Sequence, residues 1–169
     1  MSKIENDNLN ETRKRLVNEI TFLSYDKFNY RNDINTWSIA QVCHHLVLVE
    51  KASAHAIAFG LNRINGNKKE RKELQFVLDR TKKLEAPEIV YPDVVPFEVQ
   101  QIIDLLNYSR VKLMAVLSTV EDTEILTEKS AKHPRYGELP LNQWIELLYL
   151  HEQRHIEQIK EIKILINGN

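Results

Sequence analysis

The chain has 169 residues and a net charge of −1, with 23 Lys and Arg against 24 Asp and Glu. Charges of both signs are mixed, so no basic footprint points to nucleic acid or to an anionic membrane surface. The single Cys43 excludes an intrachain disulfide framework and fits a reducing compartment.

This length suits one domain over residues 1–169, large enough to bury a core without disulfides. The N-terminus, MSKIENDNLNETRKRL, is polar where a signal peptide needs an apolar run. Nowhere do about 18 apolar residues follow one another, so no membrane span is expected. With four Gly and five Pro, the composition favours long uninterrupted helices. The expectation is a cytoplasmic, mostly helical domain.

A first helix is expected from about Asn10 to Tyr25, with Leu16, Ile20 and Leu23 inward. The aromatic and Asn-rich stretch Phe28 to Asn35 is read as a connection, with a pocket rim as its functional alternative. Ser38, with Gln41 three residues on, forms a capping-box pattern, and Trp37 stands where a hydrophobic staple belongs. The second helix then turns Ile39, Val42, Leu46, Val49, Ser53 and Ala56 inward. Stepping about 100° per residue puts His45 at the edge of that stripe and His44 with His55 on the surface side.

From Gly60 to Pro96 the pattern weakens. Asn65-Gly66-Asn67 signals a turn, Lys68 to Glu73 a solvated charge run, and Leu74, Val77 and Leu78 a short amphipathic helix. Pro87, Pro92 and Pro96 keep the next stretch extended. A connection this long can cross over a bundle and let the second and third helices run parallel. The third helix is expected from about Phe97 to Val120, with Val99, Ile102, Ile103, Leu106, Val111, Met114 and Leu117 as core. Glu121 to Ser130 reads as a polar connection and His133-Pro134-Arg135-Tyr136-Gly137 as a turn. Pro140 suits the start of the fourth helix.

That last helix carries the chemistry. Its stripe reads Trp144, Leu147, Leu148, His151, His155, Gln158, Ile159, Ile162, Leu165 and Ile166. A buried polar group without a partner costs roughly 1–3 kcal/mol, so two histidines and a glutamine on a core face call for a shared partner. A divalent metal ion suits a pair of imidazoles at i and i+4. His45 from the facing helix makes three ligands. Three protein ligands leave a position open for water or substrate, as in catalytic rather than structural sites. Gln158 is a candidate to orient a ligand, with a buried-edge glutamine bonded to backbone as the alternative, and His133 to line the site mouth, with a loop histidine of no role as the alternative.

His151-Glu152-Gln153-Arg154-His155 also satisfies the zinc-protease pattern H-E-x-x-H, with Glu152 as the candidate base. The context argues against a protease, because only fourteen residues follow His155 and no strand-rich domain precedes the helix. Glu152 is expected on an exposed flank, solvated, with a place near the metal as the alternative.

Trp37-Ser38-Ile39-Ala40-Gln41 through His45-Leu46 resembles the W-S-x-x-E/Q-x-x-x-H-L segment of the DinB/YfiT-like superfamily, which shares only a name with the lesion-bypass polymerase. His133-Pro134-Arg135-Tyr136-Gly137, Trp144 and His151-x-x-x-His155-x-x-Gln158-Ile159 resemble its C-terminal H-P-x-x-G…W…H-x-x-x-H-x-x-Q-I pattern. Pro140 departs from the Ser or Thr cap of many relatives. The resemblance implies an all-α four-helix bundle with a long crossover between helices two and three, often a homodimer, with His45, His151 and His155 binding a divalent metal such as nickel or zinc. It implies a small-molecule substrate, and members of the family use low-molecular-weight thiols in S-transfer or isomerisation or are described as metal-dependent hydrolases. The leading expectation is thiol S-transfer to an electrophile. The alternatives are a metal-dependent hydrolase with the same ligands and a non-catalytic stress or sensor protein binding metal or ligand there.

Overall fold

The computed structural model describes residues 3–64 and 68–168; the expected turn at Asn65-Gly66-Asn67 lies outside them. Its elements are α1 (Lys3–Ile20), the short α2 (Tyr25–Asn29), α3 (Ile39–Asn62), α4 (Val99–Leu117), the short α5 (Ile125–Glu128), strands β1 (Ser130–His133) and β2 (Gly137–Pro140), and α6 (Leu141–Asn167). Single 3₁₀ turns at Gln75–Leu78 and Glu88–Val90 interrupt the long connection between α3 and α4. Among the described residues no helix is long and apolar enough to cross a membrane.

The four long helices form a bundle whose directions follow from their contacts. Thr12 meets Glu152 and Glu19 meets Lys163, so α1 and α6 run parallel. His44 packs on Phe97 while Glu50 meets Ser109 and Arg110, so α3 and α4 also run parallel. The carbonyls of Leu9 and Leu106 accept from Arg110 and Arg13, so α1 and α4 are antiparallel. This is the crossover bundle expected from the long connection.

Local signals explain the helix starts. Ser38 Oγ accepts from Gln41 N at 3.2 Å while Gln41 Oε1 accepts from Ser38 N at 3.1 Å, a complete capping box at the head of α3. Asn29 pairs twice with the Phe97 backbone, donating to O and accepting from N at 2.9 Å each, and so ties the α2 connection to the approach of α4. The stretch that reads as a plain connection thus locks two segments together.

A layer of buried charge divides the core. Leu9, Ala54, Ile57, Leu113, Trp144 and Ile145 pack in one half; Leu16, Ile20, Leu46, Ile102, Leu106, Ile156 and Ile159 pack in the other. Between them each long helix contributes one charge: Arg13, Glu50, Arg110 and Glu152. Arg13 Nε donates to Glu152 Oε1 at 2.7 Å and Nη2 to Glu50 Oε2 at 3.1 Å. Arg110 Nε donates to Glu50 Oε1 at 2.7 Å and stands 3.6 Å from Glu152. Thr12 and Ser109 add hydroxyl donors to the two carboxylates. The two guanidinium groups hold the Glu50 carboxyl below its usual range, Arg13 first and then Arg110, against the opposing effect of burial. Pairing and hydrogen bonding together compensate the desolvation that one buried charge alone would suffer.

Several expectations need correction. The first helix starts at Lys3 and stops at Ile20, so Leu23 falls beyond it. Val111 is 64 % exposed; the buried line of α4 is Ile102, Leu106, Ser109, Leu113 and Leu117, a helical stripe that keeps a serine inside for Glu50. Leu165 is exposed near the end of α6, although Ile162 and Ile166 on the same helix pack against the core. The amphipathic helix expected around Leu74 is one 3₁₀ turn. The turn expected at His133–Gly137 is present, but its flanks are strands that the reading as a polar connection missed: β1 and β2 pair antiparallel as a hairpin around it, with Gly137 at φ +68°, a conformation that favours glycine.

Candidate metal centre

The α6 helix places the site because it is buried on more than one side. Leu147, Leu148 and His155 line one cavity, while Glu152 meets Arg13 and Ile156 packs in the core, so the helix has no simple wet flank near its middle. Glu152 is 3 % exposed and held by Thr12, Arg13 and Arg110. The expectation of a solvated Glu152, and with it the candidate base of H-E-x-x-H, is therefore overturned: the carboxylate points into the charge layer and its oxygens are already engaged.

His45, His151 and His155 do come together, one ligating nitrogen from each lying within 4.8 Å of the others. His45 Nδ1 donates to the Val90 carbonyl at 2.7 Å. His155 Nδ1 donates to Gln158 Oε1 at 2.7 Å. Each ring thereby keeps its proton on Nδ1 and carries a lone pair on Nε2. His155 Nε2 lies 3.0 Å from His151 Nε2, whereas the buried His151 Nδ1 has no partner among the described residues. The ring centroids stand 5.2 Å (His45–His151), 5.1 Å (His45–His155) and 4.4 Å (His151–His155) apart.

The electrostatics favour neutral rings. Burial pushes His155 down to about 3, with His45 beside it adding to the shift. Burial, then His155 and His45, hold His151 well below the ordinary histidine range. Burial also lowers His45, partly offset by the Val90 carbonyl. Neutral imidazoles converging from two helices form the donor set that zinc or nickel accepts. The residues fit a divalent ion.

The cluster opens into a cavity of about 310 Å³. Its walls are mostly apolar and aromatic: Trp37, Val49, Ala56, Val77, Leu84, Pro87, Trp144, Leu147 and Leu148. The hairpin contributes His133, Arg135 and Tyr136. The crossover forms the remaining wall and is pinned from both sides. Gln143 Nε2 donates to Lys72 O at 2.7 Å, while its Oε1 accepts from Lys72 N at 2.8 Å. Arg154 donates to the carbonyls of Val77, Asp79 and Lys82 at 2.8, 2.5 and 2.7 Å. From α3, Gln41 donates to Asp93 O and His44 Nδ1 accepts from Asp93 N at 3.0 Å.

His44, expected at the surface, is thus half-buried against Phe97 and helps to hold the crossover; His55 is exposed as expected. Arg154 and the wall from Leu84 to Val90 went unrecognised in the sequence. An arginine between two histidines reads as a solvated charge, and nothing local announces three carbonyls from a distant loop. Cys43 is fully buried, its thiol pushed up by desolvation, and it lies off the cavity.

A family model of the DinB superfamily matches residues 8–159. The protein named "Uncharacterized protein YuaE" from Bacillus subtilis (strain 168) is 30 % identical over 154 residues, covering 91 % of this chain and 94 % of its own. Among solved structures, TT2238, "a four-helix bundle protein", superposes with a TM-score of 0.61 at 16 % identity, over 93 % of this chain and 96 % of its own. YfiT from Bacillus subtilis, described as "a probable metal-dependent hydrolase with an unusual four-helix bundle topology", superposes with a TM-score of 0.67 at 17 % identity, over 99 % of this chain and 90 % of its own.

Proposed function

The chain belongs to the DinB superfamily, and from that premise we propose a metal-dependent enzyme in which His45, His151 and His155 hold one divalent ion, nickel or zinc. The observation that carries this reading is the convergence of three neutral imidazoles on a mostly apolar cavity. Bound there, the ion would supply Lewis acidity, favouring the thiolate form of a thiol or polarising an oxygen. The chain itself contributes orientation and exclusion. Val90 O and Gln158 Oε1 aim His45 and His155 with their Nε2 lone pairs forward. Trp37, Trp144, Leu147 and Leu148 line the space where a small substrate sits and limit water there.

The reaction we favour is transfer of a low-molecular-weight thiol to an electrophilic small molecule. Its support is the scarcity of bases. Among the described residues the cavity's one carboxylate is the exposed Glu85, and Glu152 is locked in the charge layer. A thiol, with an ordinary pKa of about 8.5, needs far less help to ionise than water at about 15.7. Hydrolysis is the second reading, favoured by the similarity to YfiT as that protein is described.

Metal analysis by plasma mass spectrometry on untagged protein, wild type beside His155→Ala, tests the centre. One ion per chain that is lost in the variant is the expected result; no ion in either, after incubation with zinc and nickel, sinks the reading. Product analysis with and without added thiol then separates transfer from hydrolysis.

A further inference from the structure

His133 sits at the end of β1 and lines the same cavity as the three clustered histidines, but it is held quite differently. Its Nδ1 accepts two backbone N–H groups from the tight turn that follows, Arg135 N at 3.1 Å and Tyr136 N at 3.3 Å. An acceptor nitrogen carries no proton, so the neutral ring must carry it on Nε2. The ring is stacked on Tyr136 with centroids 4.7 Å apart and 22° between planes, and leans on Trp144 at 4.9 Å. Trp144 is itself fixed by Nε1 donating to Ala131 O at 3.2 Å. Among the described residues nothing accepts from His133 Nε2.

We propose that His133 is a fixed, neutral hydrogen-bond donor on the cavity wall, and that it selects molecules carrying a carbonyl or carboxylate oxygen on an apolar body. This role differs from that of a base or a metal ligand, since one nitrogen is occupied by the turn and the other holds the proton. The hairpin's Lys132 and Arg135, both on the cavity, add positive potential that favours an oxygen acceptor. Burial, and then Arg135, lower the ring's pKa to about 4, so the neutral donor form is the one present at neutral pH. The apolar walls supply the rest of the recognition, as in small-molecule sites generally. The proposal rests on the reading of the cavity as the substrate site, and not on the identity of the ion.

Two measurements on the full chain test it. Long-range 1H–15N correlation spectra of the metal-free protein at pH 7 should show His133 as the Nε2–H tautomer; an Nδ1–H tautomer or an imidazolium overturns the proposal. Calorimetric or NMR titrations of zinc-treated protein then use benzoate, benzamide and, as a control without an acceptor, toluene. His133→Phe keeps the aromatic stack and loses the donor. It should weaken benzamide or benzoate roughly three- to tenfold, the loss of one hydrogen bond, and leave toluene unchanged. His133→Gln, which retains a donor near the Nε2 position, should recover part of that loss. Benzamide weakened alone identifies a neutral carbonyl as the occupant, and benzoate weakened alone a carboxylate. Equal effects on toluene, no effect on either oxygen ligand, or no binding of either to wild type overturn the proposal. A protein that binds no metal yet keeps the tautomer and the oxygen preference sinks only the metal reading.

Discussion

His155 donates from Nδ1 to Gln158 Oε1 at 2.7 Å, one turn further along the same helix, and this contact decides which nitrogen of His155 faces His45 and His151. The partner is local, so it can be removed without disturbing the bundle. Gln158→Leu should lower metal affinity about tenfold or more, within the range for loss of a ligand's hydrogen-bond partner. Competition against a chromophoric chelator measures it. Unchanged affinity would mean that packing alone orients His155.

Stability of the metal-free protein should fall with acid. His155 is depressed to about 3 in the fold by burial and by His45, whereas in the unfolded chain it titrates near the ordinary value of 6.5. Below about 6.5 the unfolded chain therefore binds a proton that the fold refuses, and stability drops continuously toward about pH 3. Glu50, lowered by Arg13 and Arg110, adds a further loss in the more acidic range as it protonates. Urea unfolding at pH 7.5, 6.5 and 5.5 should give a shallower pH dependence for His155→Leu than for wild type. Identical slopes would refute the assignment of the neutral ring.

The charge layer is expected to be structural. Glu152→Ala leaves Arg13 and Arg110 short of a buried counter-charge and should cost about 3–5 kcal/mol. Metal content per folded molecule should stay at the wild-type level, because the carboxylate faces away from the histidines. Denaturant midpoints paired with metal analysis check both parts, and loss of metal from fully folded variant would return Glu152 to the site.

Gly60 of α3 leaves room for Leu141 at the start of α6. A Cβ there would lie 2.6 Å from Leu141 Cδ2 and 3.2 Å from the Ser130 carbonyl, and Leu141 is fully buried. Gly60→Ala should therefore destabilise by about 1–3 kcal/mol through overpacking, although alanine is intrinsically the better helix former by about 1 kcal/mol. A higher melting temperature in the variant would show that Leu141 has room to move.

How far the sequence reaches is visible in pairs of residues. His151 and His155 share a face because a four-residue step is a property of the helix itself, and the same periodicity puts His45 and not His55 toward the core. Ser38 with Gln41 marks the head of α3 for the same reason: both partners lie within one turn. The long stretch between α3 and α4 likewise permits the parallel pair that the bundle adopts.

Helical spacing could not assign Glu152. Its position beside His151 is compatible with solvent, with a metal site or with the core, and only Arg13 and Arg110, each more than 40 residues away in the chain, decide for the core. The same holds for Arg154 and for Val111, whose surroundings are set by distant loops and by which stripe of α4 meets α3. By itself, then, the sequence determined what depends on residues within one or two helical turns: the helices, their caps and the histidine pair. The tertiary structure decided the rest, including the partner of each buried charge, the hairpin that holds His133 and the crossover that closes the cavity. These depend on desolvation and packing between segments far apart in the chain, and a local pattern carries no record of which segments meet.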